Sequence, residues 1–419
     1  MDVPDAILLM GDKQWQEIKS KLTGKFNKMM KGLFRQKGAQ LDINILASDE
    51  AQEFITTHAG ILDAGFQKVE MSDKMRERLT RSNYIFSGIK TFHELNEAFP
   101  SMLDENGNKK TFERFLNDVQ KINDTYNANY LHAEYNFVQA SATMAAKWEQ
   151  FREDGDQYYL QYRTAKDGKV RPEHAALDGV TLPPSDSFWD TYYPPNGWNC
   201  RCNVVQVRKQ KYPITEHSEA MNRGEKAMNG QKYNIFRFNS GKQGKIMPDY
   251  NPYTIRRCND CDVAKGKMKL GFVPDYQLCQ GCIMIRKCSE DRNRDNSAKA
   301  TKKSPEVKKL QGTTISNPDF NHEVLVTGGS IREWTNQPHK DYAAKNSILK
   351  HIAKVFREAK YIGFIDNFKM KPGIKQSHLF ETNVLGELSW IIVREYEIGE
   401  FVLHSISDSD KIKTGIRKE

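Results

Sequence analysis

Residues 162–205 read YRTAKDGKVRPEHAALDGVTLPPSDSFWDTYYPPNGWNCRCNVV. Lys166-Asp167-Gly168-Lys169 is a tight-turn signal between short β-prone runs, because Gly accepts positive φ without a steric penalty. Pro183-Pro184 and Pro194-Pro195 keep two further segments out of helix. His174, Cys200 and Cys202 put metal-type donors on either side of a loop rich in Trp and Tyr. A stretch this irregular has no long helix or ladder to hold it. Packing of Phe188, Trp189 and Trp198 is expected to do so, helped by a metal ion at His174, Cys200 and Cys202, with Asp178 as a candidate fourth ligand. The alternative makes His174 a hydrogen-bonded core residue and the two cysteines partly core. No acid–base pair stands out here, so catalysis is not expected in this stretch.

The order Arg171-x-x-His174-x-x-Leu177-x-Gly179, followed by Pro194-Pro195-x-Gly197-Trp198-Asn199-Cys200-Arg201-Cys202, resembles the phage head-morphogenesis (minor head protein, Mu F-like) family. The resemblance is close over this stretch and looser over the helical region before it. It implies a virion assembly role near the portal, with portal and capsid proteins of a phage head as partners, in the virion and the host cytoplasm.

A chain of 419 residues, 28% charged and 38% hydrophobic, is too long for one compact core and reads as multidomain. It holds no apolar run of transmembrane length, so no membrane partner is expected. The N-terminus has an acid before its short apolar patch and no basic leader, which argues against a secretory signal. The net charge of +9 is concentrated in residues 206–312, where Lys and Arg outnumber acids 23 to 11. Contact with DNA through this basic segment and a merely solvated basic face are both compatible with that excess.

The expected architecture has five parts. Residues 1–153 form a mostly α region. Trp15, Ile18, Leu22, Phe26, Met29, Met30 and Leu33 recur on one helical face with lysines opposite, and packing on neighbouring helices is preferred to a membrane surface. Ser48-Asp49-Glu50 starts a second helix over 48–66, and an aromatic-rich helical period runs from about Thr111 to about Glu153, as one kinked helix or two in line. Residues 154–205 form a small irregular α+β core, and Tyr233–Phe238 a strand within a basic segment, 206–288. Residues 289–312, almost without apolar side chains, read as a linker without regular structure.

Within the basic segment, Cys258-x-x-Cys261 and Cys279-x-x-Cys282 have the spacing of a zinc ribbon. Four thiolates complete a closed tetrahedral shell, so the zinc is structural and supplies folding energy.

Residues 313–419 read as a compact α+β domain: a helix from Lys340 to Ala359, then four antiparallel strands over Tyr361–Asp366, Gln376–Glu381, Leu388–Tyr396 and Glu400–Ser407. A two-residue turn at Ile398-Gly399 sets Arg394 opposite Leu403 and Ile392 opposite Ser405. Arg394, Leu403 and Ser405 then share the face away from the helix. The segments SHLFET, SWIIVREY and FVLHSIS resemble phage-borne barnase–EndoU–colicin–RelE-like nuclease domains. That resemblance implies RNA as substrate and metal-independent cleavage. The 2′-hydroxyl attack needs a base, an acid and a cation. His378 is the candidate acid or base, Arg394 and Lys375 the phosphate holders, and Ser405 an orienting hydroxyl. The alternatives are a purely structural minor head protein with a non-catalytic tail and a DNA-binding packaging accessory.

Overall fold

The computed structural model describes residues 12–38, 40–247, 253, 280–339, 342–367, 372–384 and 387–417. The chain divides into two compact units, Met1–Ser289 and Glu290–Glu419.

The first unit is built on five helices: α1 (Asp12–Phe34), α2 (Asp49–Ala64), α3 (Asp73–Ala98), α4 (Phe112–Asp124) and α5 (Leu131–Asp154). The apolar stripe of α1 is buried at Leu22, Phe26, Met29, Met30 and Leu33, as its spacing predicts. On its basic face Lys25 and Lys28 both pair with Glu53 of α2. Ser48 caps α2 by accepting from the Ala51 N–H, and Thr111 caps α4 by accepting from the Arg114 N–H. Helices α4 and α5 are joined without a break by a π-helical turn, Thr125–Tyr130. The long helical period is thus one rod with a phase change inside it.

This rod surrounds a buried polar network. Lys90 of α3 is fully buried and donates to Glu134 Oε2 at 2.8 Å, to the Tyr126 carbonyl at 2.7 Å and to His58 Nε2 at 3.0 Å. The Tyr126 carbonyl belongs to the π turn. Burial pushes the Glu134 carboxyl up, but Lys90 and His58 outweigh it and hold it down at about 2. His58 is kept neutral: burial and the Lys90 charge lower it to about 4.

Residues 154–207 pack on α5 around a small antiparallel sheet in the order β2-β1-β3, with β1 Tyr159–Arg163, β2 Thr181–Leu182 and β3 Asn203–Val207. Tyr162 pairs with Val204, and Leu160 with Leu182. Phe188, Trp189, Tyr192 and Tyr193 are fully buried, so the aromatic packing expected for this stretch is present. Trp198 is only partly buried, but its ring lies edge-on to Phe137 of α5 at 5.1 Å. The run Tyr233–Phe238 departs from the strand expectation, since 231–236 form a 3-10 helix. Its rings Phe236 and Phe238 insert beside Phe137 instead of alternating along a sheet.

The expectation of an unstructured stretch over 289–312 does not hold. A helix, Gln280–Lys303, covers its first half, and a short helix, Pro305–Lys309, follows. The stretch docks through small and hydroxyl residues, with Val307 in the core of the second unit. Ala298 and Thr301 are buried, and Ser297 accepts from Asn346 Nδ2 at 2.8 Å.

The second unit also differs from expectation in strand number. Among the described residues its sheet has six strands, not four, in the order β4-β5-β9-β8-β7-β6. These are β4 Thr314–Asn317, β5 Phe320–Leu325, β6 Lys360–Asp366, β7 Ile374–Val384, β8 Glu387–Tyr396 and β9 Phe401–Ser407. β5 and β9 run parallel, and the other neighbours are antiparallel. The pair β4 and β5 escapes a reading by pattern because β5 is exposed at Asn321, His322 and Glu323 in succession and so lacks apolar alternation. Buried Asn317 fixes the pair, donating to the Phe356 and Ala359 carbonyls. The expected helix is broken into Tyr342–Ser347, a 3-10 turn Ile348–His351 and Ile352–Glu358.

The hairpin register is also corrected. Arg394 lies opposite Val402, not Leu403, and Val393 lies opposite Leu403, while Ile392 does pair with Ser405. A bulge at His404 absorbs the extra residue, which brings Leu403 into the core together with Ile406.

Glu94, one turn after Lys90, gives this fold a pH signature. Burial pushes its carboxyl up to about 8, against the pull of Lys90. A carboxyl raised above its ordinary 4.5 favours the fold below that pH, and the benefit is lost as pH rises toward 8. Glu94→Gln should therefore raise the urea midpoint at pH 8, and the gain over the parent should shrink as the pH is lowered toward 4.5.

Candidate metal centre

His174 sits in a single helical turn, Pro172–Ala175, whose first position is proline. Cys200 and Cys202 lie just before β3. Asn199 turns the chain there with a φ of 56°, a left-handed conformation that Asn tolerates. All three side chains are buried. His174 Nδ1 is 3.7 Å from Cys200 Sγ and 3.9 Å from Cys202 Sγ. The three donor atoms lie within 4.8 Å of one another. His174 Nε2 is buried and has no hydrogen-bond partner among the described residues. The Cys200 thiol is held well below its usual range, first because Cys202 donates to it and then because His174 adjoins it. Cys202 is pushed up by that same hydrogen bond and by burial.

The surrounding loop is pinned by side chains. Arg171 donates to the Trp198 carbonyl at 2.7 Å, and Asn136 of α5 donates to Asn199 Oδ1 at 3.0 Å. The Tyr162 hydroxyl donates to buried Asn196 Oδ1 at 2.8 Å. Gly197 lets the arginine approach, since a Cβ there would meet Arg171 Nη1 at 3.0 Å. Asp178 does not join the cluster as a fourth ligand. Its Oδ1 accepts from the Thr164 N–H at 2.8 Å and the Thr164 hydroxyl at 3.1 Å, which ties the loop to the end of β1. Asn136 and Asn196 escape a reading by sequence because an isolated Asn carries no local signal; their partners Asn199 and Tyr162 lie far away in the chain.

Of the paired knuckles, Cys258, Cys261 and Cys279 lie outside the described residues, as do the basic residues Arg256, Arg257, Lys265, Lys267 and Lys269. Cys282 is buried in the helix Gln280–Lys303, within the apolar core of the first unit. Gly281 beside it touches Phe92 closely: a Cβ would lie 2.8 Å from that ring.

In the second unit the four candidate catalytic residues do not converge. His378 and Lys375 meet at a residue the sequence reading passed over, Glu395. Its carboxylate takes His378 Nε2 at 3.0 Å, Lys375 Nζ at 2.6 Å and Gln376 Nε2 at 2.7 Å. Burial raises this carboxyl, but the donors prevail and keep it below its ordinary range. The Tyr361 hydroxyl lies 2.9 Å from His378 Nδ1, and Phe320 packs against the imidazole with ring centroids 4.8 Å apart. Arg394 pairs with Ser377 and Ser405 with Ile392, so both belong to the opposite face of the sheet from His378, which pairs with Val393. Ser405 is also buried.

Residues 105–205 match the family described as Phage Mu protein F like protein, and residues 293–403 match Large polyvalent protein-associated domain 3. The C-terminal match is thus to that domain, and the expected resemblance to a nuclease group is not confirmed by it. The chain is 32% identical over 283 residues to "Putative capsid assembly protein F" of Escherichia phage Mu, covering 62% of this chain and 61% of that protein. It is 34% identical over 102 residues to the "Mu-like prophage FluMu F protein" of Haemophilus influenzae (strain ATCC 51907 / DSM 11121 / KW20 / Rd), covering 24% of this chain and 22% of that one. The chain therefore spans less than two thirds of the length of either relative. No solved structure matches it significantly. Among the described residues no helix is long and apolar enough to cross a membrane.

Arg171→Ala should leave the Trp198 carbonyl without its donor and destabilise the first unit by about 1–3 kcal/mol. A urea titration read by tryptophan fluorescence checks this.

Proposed function

We propose that this chain is a minor head protein that acts in phage head assembly, with portal and capsid proteins as partners. One observation carries the reading. The residues of the Mu F-like motif, from Arg171 and His174 to Gly197, Trp198, Cys200 and Cys202, meet in space as one packed structure, with Trp198 against α5, within the segment that matches the family. The name of the phage Mu relative, a putative capsid assembly protein, points the same way. On this reading the protein works in the host cytoplasm and ends in the virion. The four knuckle cysteines, Cys258, Cys261, Cys279 and Cys282, hold a structural zinc, as their spacing favours. The basic segment can touch packaged DNA through its surplus of Lys and Arg.

A second reading concerns the tail unit alone. The sequence resemblance suggests RNA cleavage without metal, and His378, held between Tyr361 and Glu395, is the group able to move a proton. Arg394 and Ser405 belong to the other face, so of the candidate phosphate holders only Lys375, paired with Glu395, adjoins His378, and it would have to exchange that carboxylate for a phosphate.

Removing the gene from the phage or prophage that encodes the protein tests the first reading. Head-deficient lysates, seen by electron microscopy and restored by the wild-type chain, are expected. Normal DNA-filled heads in its absence would end it. For the second, the full chain and its His378→Ala variant are incubated with RNA. Cleavage by the parent, lost in the variant, is expected; intact RNA with the parent removes the enzyme reading.

A further inference from the structure

We propose that His174 Nδ1, Cys200 Sγ and Cys202 Sγ bind one thiophilic divalent cation, zinc, through three protein ligands. This site is separate from the cysteine knuckles and does not depend on the assembly role.

Four observations lead there. First, the donor set is chemically matched: two thiols and one imidazole form a set that zinc prefers over hard cations. Second, the spacing is that of a coordination shell. Zn–S bonds of about 2.3 Å and Zn–N bonds of about 2.0–2.1 Å, at a tetrahedral angle, put nitrogen and sulfur about 3.6 Å apart. The observed separations are 3.7 and 3.9 Å. Third, among the described residues the imidazole Nδ1 meets no oxygen or nitrogen partner, only the two sulfurs, which are weak hydrogen-bonding groups. The ring is 2% exposed, so an ion bound at Nδ1 would give that buried lone pair a strong partner. Fourth, protein groups hold the segments that carry the donors. Arg171 and Asn136 fix the loop that carries the cysteines, and proline fixes the first turn under His174.

The donors line one wall of a pocket completed by Lys169, Asn199 and Arg201. With Asp178 engaged by Thr164, the three donors leave a tetrahedral ion one position to fill. Both sulfurs bond as thiolates, and any thiol proton still present goes to solvent. Two thiolates and a divalent ion make a neutral centre, which suits a buried place.

The full chain, purified under reducing conditions, is loaded with zinc, desalted and analysed for metal per chain. Cys200→Ser/Cys202→Ser should hold one equivalent less than the parent at unchanged far-ultraviolet circular dichroism. Cys258→Ser/Cys261→Ser should keep an ion whose X-ray absorption shows two sulfur ligands and imidazole nitrogen. Equal metal in the parent and a folded Cys200→Ser/Cys202→Ser variant would overturn the proposal. So would a folded Cys258→Ser/Cys261→Ser variant that holds none. Should the serine pair unfold, Cys200→His replaces one donor by another. Made in the Cys258→Ser/Cys261→Ser background, it should retain an ion with one sulfur ligand, and a folded metal-free protein would again overturn the site.

Discussion

A chain that runs irregularly through a core must satisfy its own peptide groups without a ladder to do so. Residues 162–205 meet that constraint with side chains drawn from several places. Arg171 takes the Trp198 carbonyl, the Trp189 indole takes the Pro183 carbonyl, and Asn239 takes the Trp189 carbonyl. Asp178 receives the Thr164 N–H, and Tyr193 reaches the Met144 carbonyl on α5. The buried rings supply the apolar gain, and these bonds decide the path. The meeting of His174 with two cysteines 26 and 28 residues away follows from that path.

The helical part solves the reverse problem. Its backbone is satisfied internally, and its polar risk lies in the side chains Lys90, His58, Glu94 and Glu134. A buried ion pair adds little net stability over an apolar replacement, but breaking it by removing one partner is costly. Lys90 links α2, α3 and the π turn, so the network fixes how these helices are set against each other as much as how firmly.

The parts of this architecture that were legible in the sequence are those with short-range periodicity. The stripe Leu22 to Leu33, the cap at Ser48 and the strands Lys360–Asp366 and Phe401–Ser407 all follow from spacing of two or three to four. What failed depended on distant partners. The helix Gln280–Lys303 has little apolar period, and its docking is written in Ser297 and Asn346, far apart in the chain. The bulge at His404 moved Leu403 to the core, and no local rule marks a bulge there. For the candidate site, the donor residues were readable from their chemistry. Glu395 was not, because one acid in a strand carries no sign of which lysine and histidine it will meet.

The six-residue turn at Thr125–Tyr130 also has a geometric outcome. Each residue of an ordinary helix advances the face by about 100°. One surplus residue in the rod therefore rotates everything downstream relative to everything upstream, as a crankshaft offsets its throws. Upstream, Phe115 lies against Phe34 of α1; downstream, Phe137 and Trp148 point at Trp198 and Tyr193. A single continuous rod can in this way serve the helical bundle at one end and the motif-bearing loop at the other.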